Sequence, residues 1–455
     1  MTRGLSAALA MTGGLLMAMP VEAAAIPAQT TPAQTAAAQS DLTAQVEAGL
    51  AAARAAYAAD QTDEAVAGLE ATKALIVARE GEQSPRLALP LNLLARIRID
   101  QGRYPEALAL IDRGLGVNAR ADPPAPVIEA GLLYDKAKAF DALGRNEEAE
   151  TTARQSYDLR VVHLGPAHEK TADALNLYAN ALAAQGRYAE ADPAYRQVLG
   201  MYEGLHGSKD FHLAIVLSNL GNALRRTGRG PEASPLYRRA VSVAEVSDDP
   251  VLLAQCLTNY GWYLHTQGDG LKAEIQFRRA LDLAVEVAGP DHPFTGVVHT
   301  NIGHALSDQG RYAEAEPEFA RGLVLLDAGL GPESPDVVDT LTGYAGALSA
   351  LGRPGEAEPL FVRARAITTA RLAPGHPDSL VEANLFAGFL LDQDRPGDAM
   401  AQLRTALAAL LRREQGRTDS EGGRDWRTSV RGAAPLFERQ VEAAWRLAAT
   451  ETPAP

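Results

Sequence analysis

The chain has 455 residues, only 5% of them aromatic, and Ala, Leu, Arg and Glu recur throughout, which is the composition of packed amphipathic helices. Runs rich in Val, Ile and Thr are scarce, which argues against a large sheet. A formal net charge of -14 without a dense Lys/Arg block speaks against nucleic acid and anionic membrane as partners, and reads chiefly as a source of solubility.

Residues 1–23 have the layout of an export signal. Met1-Thr2-Arg3 gives a basic start, residues 5–19 form an apolar stretch, and Val21-Glu22-Ala23 puts small residues at the cleavage positions. The stretch is too short for stable membrane insertion and holds no Cys for a lipid anchor. A periplasmic or secreted protein is therefore expected. Residues 24–41, rich in Ala, Gln, Thr and Pro, have little to bury and are expected to form a flexible tether. The single cysteine, Cys256, permits neither an intramolecular disulfide nor a Cys-based metal cluster, and is expected to be buried.

Residues 42–411 repeat. Gln101-Gly102-Arg103-Tyr104-Pro105-Glu106-Ala107 returns at Gln185-Gly186-Arg187-Tyr188-Ala189-Glu190-Ala191 and again at Gln309-Gly310-Arg311-Tyr312-Ala313-Glu314-Ala315. The turn residue falls at Asp60, Gly102, Gly144, Gly186, Gly228, Gly268, Gly310, Gly352 and Asp394, spaced by 42 residues except for one interval of 40, and an Ala follows five positions later each time. Upstream of each turn lies one amphipathic helix, as in Leu217, Leu220, Gly221 and Leu224; downstream lies a second, as in Ala233, Tyr237 and Ala240. Small residues at the crossing (Ala179, Gly221, Gly261, Gly303, Ala345) admit close approach, and aromatics at Tyr195, Tyr237, Phe277, Phe319 and Phe361 fill the space between units. Pro193, Pro235, Pro317 and Pro359 are expected in the first turns of second helices, where amide donors lack partners.

Leu217-x2-Leu220-Gly221-x2-Leu224…Ala233-x3-Tyr237 resembles the tetratricopeptide pattern, and Leu257-x2-Tyr260-Gly261-x2-Leu264…Ala273-x3-Phe277 does so equally. Units this long are similar to the kinesin-light-chain type of that family, adaptors that carry peptide cargo in a groove. The resemblance implies an all-α, right-handed superhelical solenoid of about nine helix–turn–helix repeats. It also implies a non-catalytic scaffold that binds an extended peptide segment of a partner protein in its concave groove.

His168, His292 and His376 each stand 18 positions before a turn, in a slot shared with Asp210 and Ser334, so they read as inter-unit turn residues rather than metal ligands. No phosphate loop, HExxH or Gly-x-Ser-x-Gly element occurs, and no cofactor, metal or catalytic group is implied. The candidate groove residues lie on the first helices. Asn219, Asn259 and Asn301 stand nine positions before the turn, while Asn180, Asn222, Trp262 and His304 stand six before it. A line of Asn176, Ser218, Thr258, Thr300 and Thr342 runs beside them. Asn amides both donate and accept, and so can read a peptide backbone; the resemblance implies that role for the slot of Asn219. The same amides could instead bond neighbouring helices, and Trp262 could be either groove anchor or filler.

Residues 412–434 read as a loop and 435–449 as a capping helix, whose Leu436, Phe437, Val441, Trp445 and Ala448 cover the open end of the array, with a disordered tail at 450–455. A second reading makes the chain an accessory subunit of an exported hydrolase or secretion complex, docking through its outer face or terminal cap. Long repeats followed by such a helix also resemble the front half of CHAT-protease-type proteins, which leaves a truncated relative of those as a further form of that reading.

Overall fold

The structure, a computed structural model, describes residues 32–208, 210–372, 375–421 and 434–451. Within them are nineteen α-helices and no strand. The expected export signal, residues 1–23, lies outside the described residues. The chain divides into two compact units, residues 1–90 and 91–455.

In the first unit α1 (Pro32–Ala58) and α2 (Thr62–Glu80) form a hairpin around Leu42, Val46, Leu50, Leu69 and Ile76. Helix α1 already begins at Pro32, so the C-terminal part of the expected tether is helical. Ala and Gln are good helix formers, and the apolar face that starts at Leu42 anchors the turns preceding it.

The second unit begins within α3 (Ala88–Asp100) and holds α4 (Tyr104–Asn118), α5 (Pro126–Ala142), α6 (Asn146–Leu164), α7 (Glu169–Ala184), α8 (Tyr188–His206), α9 (Phe211–Arg226) and α10 (Gly230–Ala244). It is completed by α11 (Pro250–Thr266), α12 (Gly270–Ala288), α13 (Pro293–Asp308), α14 (Tyr312–Leu330), α15 (Val338–Ala350), α16 (Pro354–Arg371), α17 (Pro377–Asp392), α18 (Pro396–Glu421) and α19 (Ala434–Glu451). Odd-numbered helices are the first helices of the units and even-numbered ones the second, up to α18. Successive first helices touch one another, whereas successive second helices stay further apart. The first helices therefore form the inner layer of this solenoid.

One device closes every pair. Gly102 to Gly352 in the turn slot have φ between 69° and 79°, and Asp60 and Asp394 take 60° and 56°. That left-handed step lets the next amide reach back into the first helix, as Arg187 N to Leu182 O at 2.9 Å and Arg311 N to Leu306 O at 3.0 Å. Close approach then follows from the missing side chains at the crossing. A Cβ on Gly221 would lie 2.9 Å from the Tyr237 ring, and one on Gly261 would lie 2.6 Å from Phe277. Tyr195, Tyr237, Phe277 and Phe319 are fully buried there.

Pro193, Pro235, Pro317 and Pro359 sit one turn deeper than expected, each the sixth residue of its helix. Each forgoes one intrahelical bond; all four are exposed, so the orphaned carbonyl can turn to water.

An arginine ladder, unforeseen from the sequence, ties successive units together at five junctions. Arg187, Arg229, Arg311, Arg353 and Arg395, just after their turns, pair with the carboxylate three residues on at 2.6–2.9 Å. Each also reaches back to an acid of the preceding unit (Glu150, Asp192, Glu274, Glu316, Glu358) at 2.5–2.8 Å. The ladder skips the 40-residue interval, where Ser234 and Asp269 replace both partners and Asp269 instead accepts from the Lys272 amide. Pairs this exposed contribute little individually, up to about 1 kcal/mol, but they set the register between units.

The histidines have the turn role expected of them. His168 Nδ1 accepts from Lys170 N at 3.1 Å, His292 Nδ1 from Phe294 N at 3.1 Å, and His376 Nδ1 from Asp378 N at 3.2 Å, so they act as N-caps. Asp210 does the same work in its own unit. His292→Ala should therefore cost about 1 kcal/mol in urea-induced unfolding, while His292→Asp keeps the cap and stays within a few tenths of the parent.

At the C-terminal end α18 runs on to Glu421, so residues 412–421 are helical where a loop was expected; residues 422–433 lie outside the described residues. The capping helix spans Ala434–Glu451, and the rest of the expected tail, 452–455, lies outside the described residues. Arg439 donates to Asn384 Oδ1 and Arg446 to Leu391 O, both at a sequence offset of 55. A constant offset means that α19 runs parallel to α17, in the place of a further first helix. Such a helix covers its predecessor with one face only. Leu436 and Ala443 are buried, but Val441 and Trp445 are 70% and 72% exposed, so the expected stripe covers the end only in part.

Candidate functional site

The inner layer of the second unit carries the candidate residues, and the structure separates them into three neighbourhoods. In the first, α3, α5 and α7 enclose a groove of about 380 Å³. Its walls are Asp100 and Tyr104, then Tyr134, Lys138 and Asp141 of α5, then Asp173, Asn176 and Asn180 of α7. Tyr202 donates to Asp173 at 2.6 Å, and the Asn176 amide oxygen is buried without a hydrogen-bond partner. Burial and the nearby Asp173 carboxylate push the Tyr134 hydroxyl up to about 12. Partial burial raises the Asp141 carboxyl above its ordinary value, although the residue is exposed.

In the second neighbourhood the asparagines serve the fold. Asn180 accepts from the buried Tyr195 hydroxyl at 2.8 Å and from Asn219 Nδ2 at 3.1 Å; Asn222 accepts from the Tyr237 hydroxyl at 2.7 Å. The pairing obeys a rule along the chain. Where the buried aromatic is Tyr, the slot six before the turn is Asn; where it is Phe277 or Phe319, that slot is Trp262 or His304. A buried hydroxyl needs an acceptor and a buried phenyl ring does not.

In the third neighbourhood Trp262, His265 and His304 cluster, with ring centroids 4.8 Å apart for Trp262–His265 and 5.7 Å for Trp262–His304. His304 stands edge-on to Phe319 at 5.0 Å and its Nε2 lies 3.0 Å from Asp339 Oδ2. Burial alone would depress the His304 imidazole, but the Asp339 carboxylate holds it above its ordinary value. Trp262 is half-buried.

Asn259 is half-buried and Asn301 buried, and neither side chain has a hydrogen bond among the described residues. Of the neighbouring line, Asn176 lines the groove, while Ser218 and Thr300 face helix contacts: Ser218 meets Cys256 Sγ at 3.7 Å, and Thr300 bonds Thr340 at 2.8 Å. Cys256 is buried as expected, which pushes its thiol up to about 11. Sequence reasoning passed over Tyr134, Lys138, Asp141 and Asp173. Their signal was positional: Lys138 occupies the slot of Asn180, and Tyr134 that of Asn176, one unit earlier.

Family profiles described as tetratricopeptide repeat match residues 88–113, 129–204, 212–284, 264–328 and 337–378, more than half of the chain. The chain belongs to the tetratricopeptide-repeat family. Among curated proteins none matches it. A Rap protein complexed with competence and sporulation factor is similar at a TM-score of 0.51 and 12% identity, over 80% of this chain and 99% of that one. The apo form of the quorum sensor NprR from B. thuringiensis is similar at 0.51 and 13%, over 73% and 99%. A putative kinesin light chain of Podosopora anserina matches at 0.39 and 16%, over 45% and 97%. At these identities the likeness is one of fold alone. In this tetratricopeptide-repeat protein no described helix is long and apolar enough to cross a membrane. Nor do the described residues place three or more His, Cys, Asp or Glu side chains where they could hold a metal ion.

Proposed function

We propose that the protein is an exported, non-catalytic scaffold that holds an extended segment of a partner protein along the inner face of its first helices. The observation that carries this reading is the groove between α3, α5 and α7, where three successive first helices, with Tyr104 at the start of α4, present polar and aromatic side chains around one cavity. Asn259 extends the unengaged polar surface further along the layer. Asn180, Asn219 and Asn222 support the wall, since their amides are engaged with neighbours.

One observation favours a second reading, docking through the terminal helix: Val441 and Trp445 stand one turn apart on its exposed face. Affinity capture from a periplasmic or extracellular extract distinguishes the two. A Tyr134→Ala/Asn259→Ala variant should lose the partner, and Val441→Ser/Trp445→Ser should keep it. The reverse pattern would assign the function to α19. Export has its own test, because the mature protein recovered from outside the cytoplasm should begin at Ala24 by N-terminal sequencing.

A further inference from the structure

Among the described residues, three histidine–carboxylate pairs join one helix to another, and α13 is a party to each. His265 Nδ1 of α11 lies 2.5 Å from Asp308 Oδ2, at the end of α13. His299 Nδ1 of α13 lies 2.6 Å from Glu318 Oε2 of α14, and His304 Nε2 of α13 lies 3.0 Å from Asp339 Oδ2 of α15. We propose that these pairs form a proton-dependent clamp, which fastens α13 to its neighbours in acid and slackens as the imidazoles lose their protons. The clamp is a property of the fold and does not depend on which partner the scaffold holds.

The three imidazoles are only 15–20% exposed, so their pairs are shielded from solvent as surface ion pairs are not. Between α3 and α5 the same kind of contact is made by Arg96 with Asp135 and Lys138 with Asp100, cations that stay charged throughout the range in which an imidazole titrates. Charged groups face the rings from every helix packed on α13. Asp308 and Asp339 serve His265 and His304, whose rings are 5.6 Å apart, so two cations and two carboxylates share one neighbourhood. Glu318 serves His299, and Arg278 of α12 stands 3.9 Å beyond it. Glu318 thus keeps a cation when His299 is neutral, and the ties to α11 and α15 slacken most. Burial opposes the charge on His304, yet Asp339 holds the imidazole above its ordinary value. Its contribution is therefore complete below the unfolded value and is lost as pH rises through the folded one. A neutral ring still donates a hydrogen bond, but a weaker one than a charge-assisted pair.

Amide exchange in residues 293–308, corrected for the intrinsic effect of pH, tests this at pH 5.5 and pH 8. The buried Glu382 of α17 also titrates in this range, so every protein compared carries Glu382→Gln. Protection of α13 should fall about tenfold between the two pH values, while that of α7 changes little. A His265→Gln/His299→Gln/His304→Gln variant keeps neutral donors and should show no such fall. Asp339→Asn alters a half-exposed position and leaves every histidine in place. It should lower the midpoint at which the His304 ring titrates by NMR and reduce the fall in α13. Equal pH dependence in the parent and either variant would overturn the clamp. So would protection of α13 that is unchanged by pH in the parent, or a His304 midpoint unmoved by Asp339→Asn.

Discussion

Phe277→Ala is expected to lower the free energy of unfolding by about 3–5 kcal/mol, among the largest effects of any single substitution in the array. The ring is fully buried and lies against the bare backbone of Gly261, where even one added carbon would come within 2.6 Å. Gly261, which faces the ring, has no side chain with which to fill the vacated space. Each unit of a solenoid is stabilised by its neighbours. The loss should therefore appear first as faster amide exchange in α11 and α12 and then as a lower urea midpoint. A companion series tests the pairing rule. Phe277→Tyr introduces a hydroxyl beneath Trp262, which cannot accept its proton, and should cost about 1–3 kcal/mol. Adding Trp262→Asn should recover part of that cost, as Asn222 serves Tyr237. Additive losses in the double variant would refute the rule.

The second large effect is one of pH. Glu382 on α17 is buried, with Oε2 3.4 Å from the Thr368 hydroxyl and Oε1 unpartnered. Burial pushes its carboxyl up from 4.5 to about 7, with Arg365 of α16 and the Thr368 bond opposing the rise. The folded protein thus holds this proton more tightly than the unfolded chain. Stability is unaffected by the group below the unfolded value, falls as pH rises from there to about 7, and stays reduced above it. The full difference is on the order of 3 kcal/mol. Urea unfolding followed from pH 4.5 to pH 8 should show this fall, and Glu382→Gln should flatten it. An unchanged slope in the variant would place the pH dependence elsewhere.

Much of this architecture was legible in the residues themselves. The turn glycines, the Ala five positions on, the small residues at the crossing and the aromatics opposite them recur at a fixed period, and each has a local physical cause: a positive φ, or a contact too close for a side chain. The same regularity placed His168, His292 and His376 in turns, because a slot shared with Asp210 and Ser334 asks only for an acceptor near a helix start.

The groove was legible only in part. Periodicity showed which slots face inward, but not which inward amides are already engaged. Asn180 and Asn222 looked like free recognition groups, and only tertiary structure brings the Tyr195 and Tyr237 hydroxyls to them across fifteen residues of chain. His265 and His299 drew no notice because their chemistry is not repeated in neighbouring units, whereas a search for ladders rewards repetition. The arginine ladder was missed because its partners sit 37 residues apart, a spacing with meaning only once the pitch of the stack is known. Helix α19 shows the limit most plainly. Its apolar stripe announced a cap, but which half of the stripe is covered depends on its lying parallel to α17, and that was settled by Arg439 and Arg446 reaching across from another helix. Sequence determines local geometry wherever a residue's own neighbours suffice as the cause. Partnership between distant side chains is decided by packing, and packing alone brings Asp308, Glu318 and Asp339 to three histidines of an otherwise regular repeat.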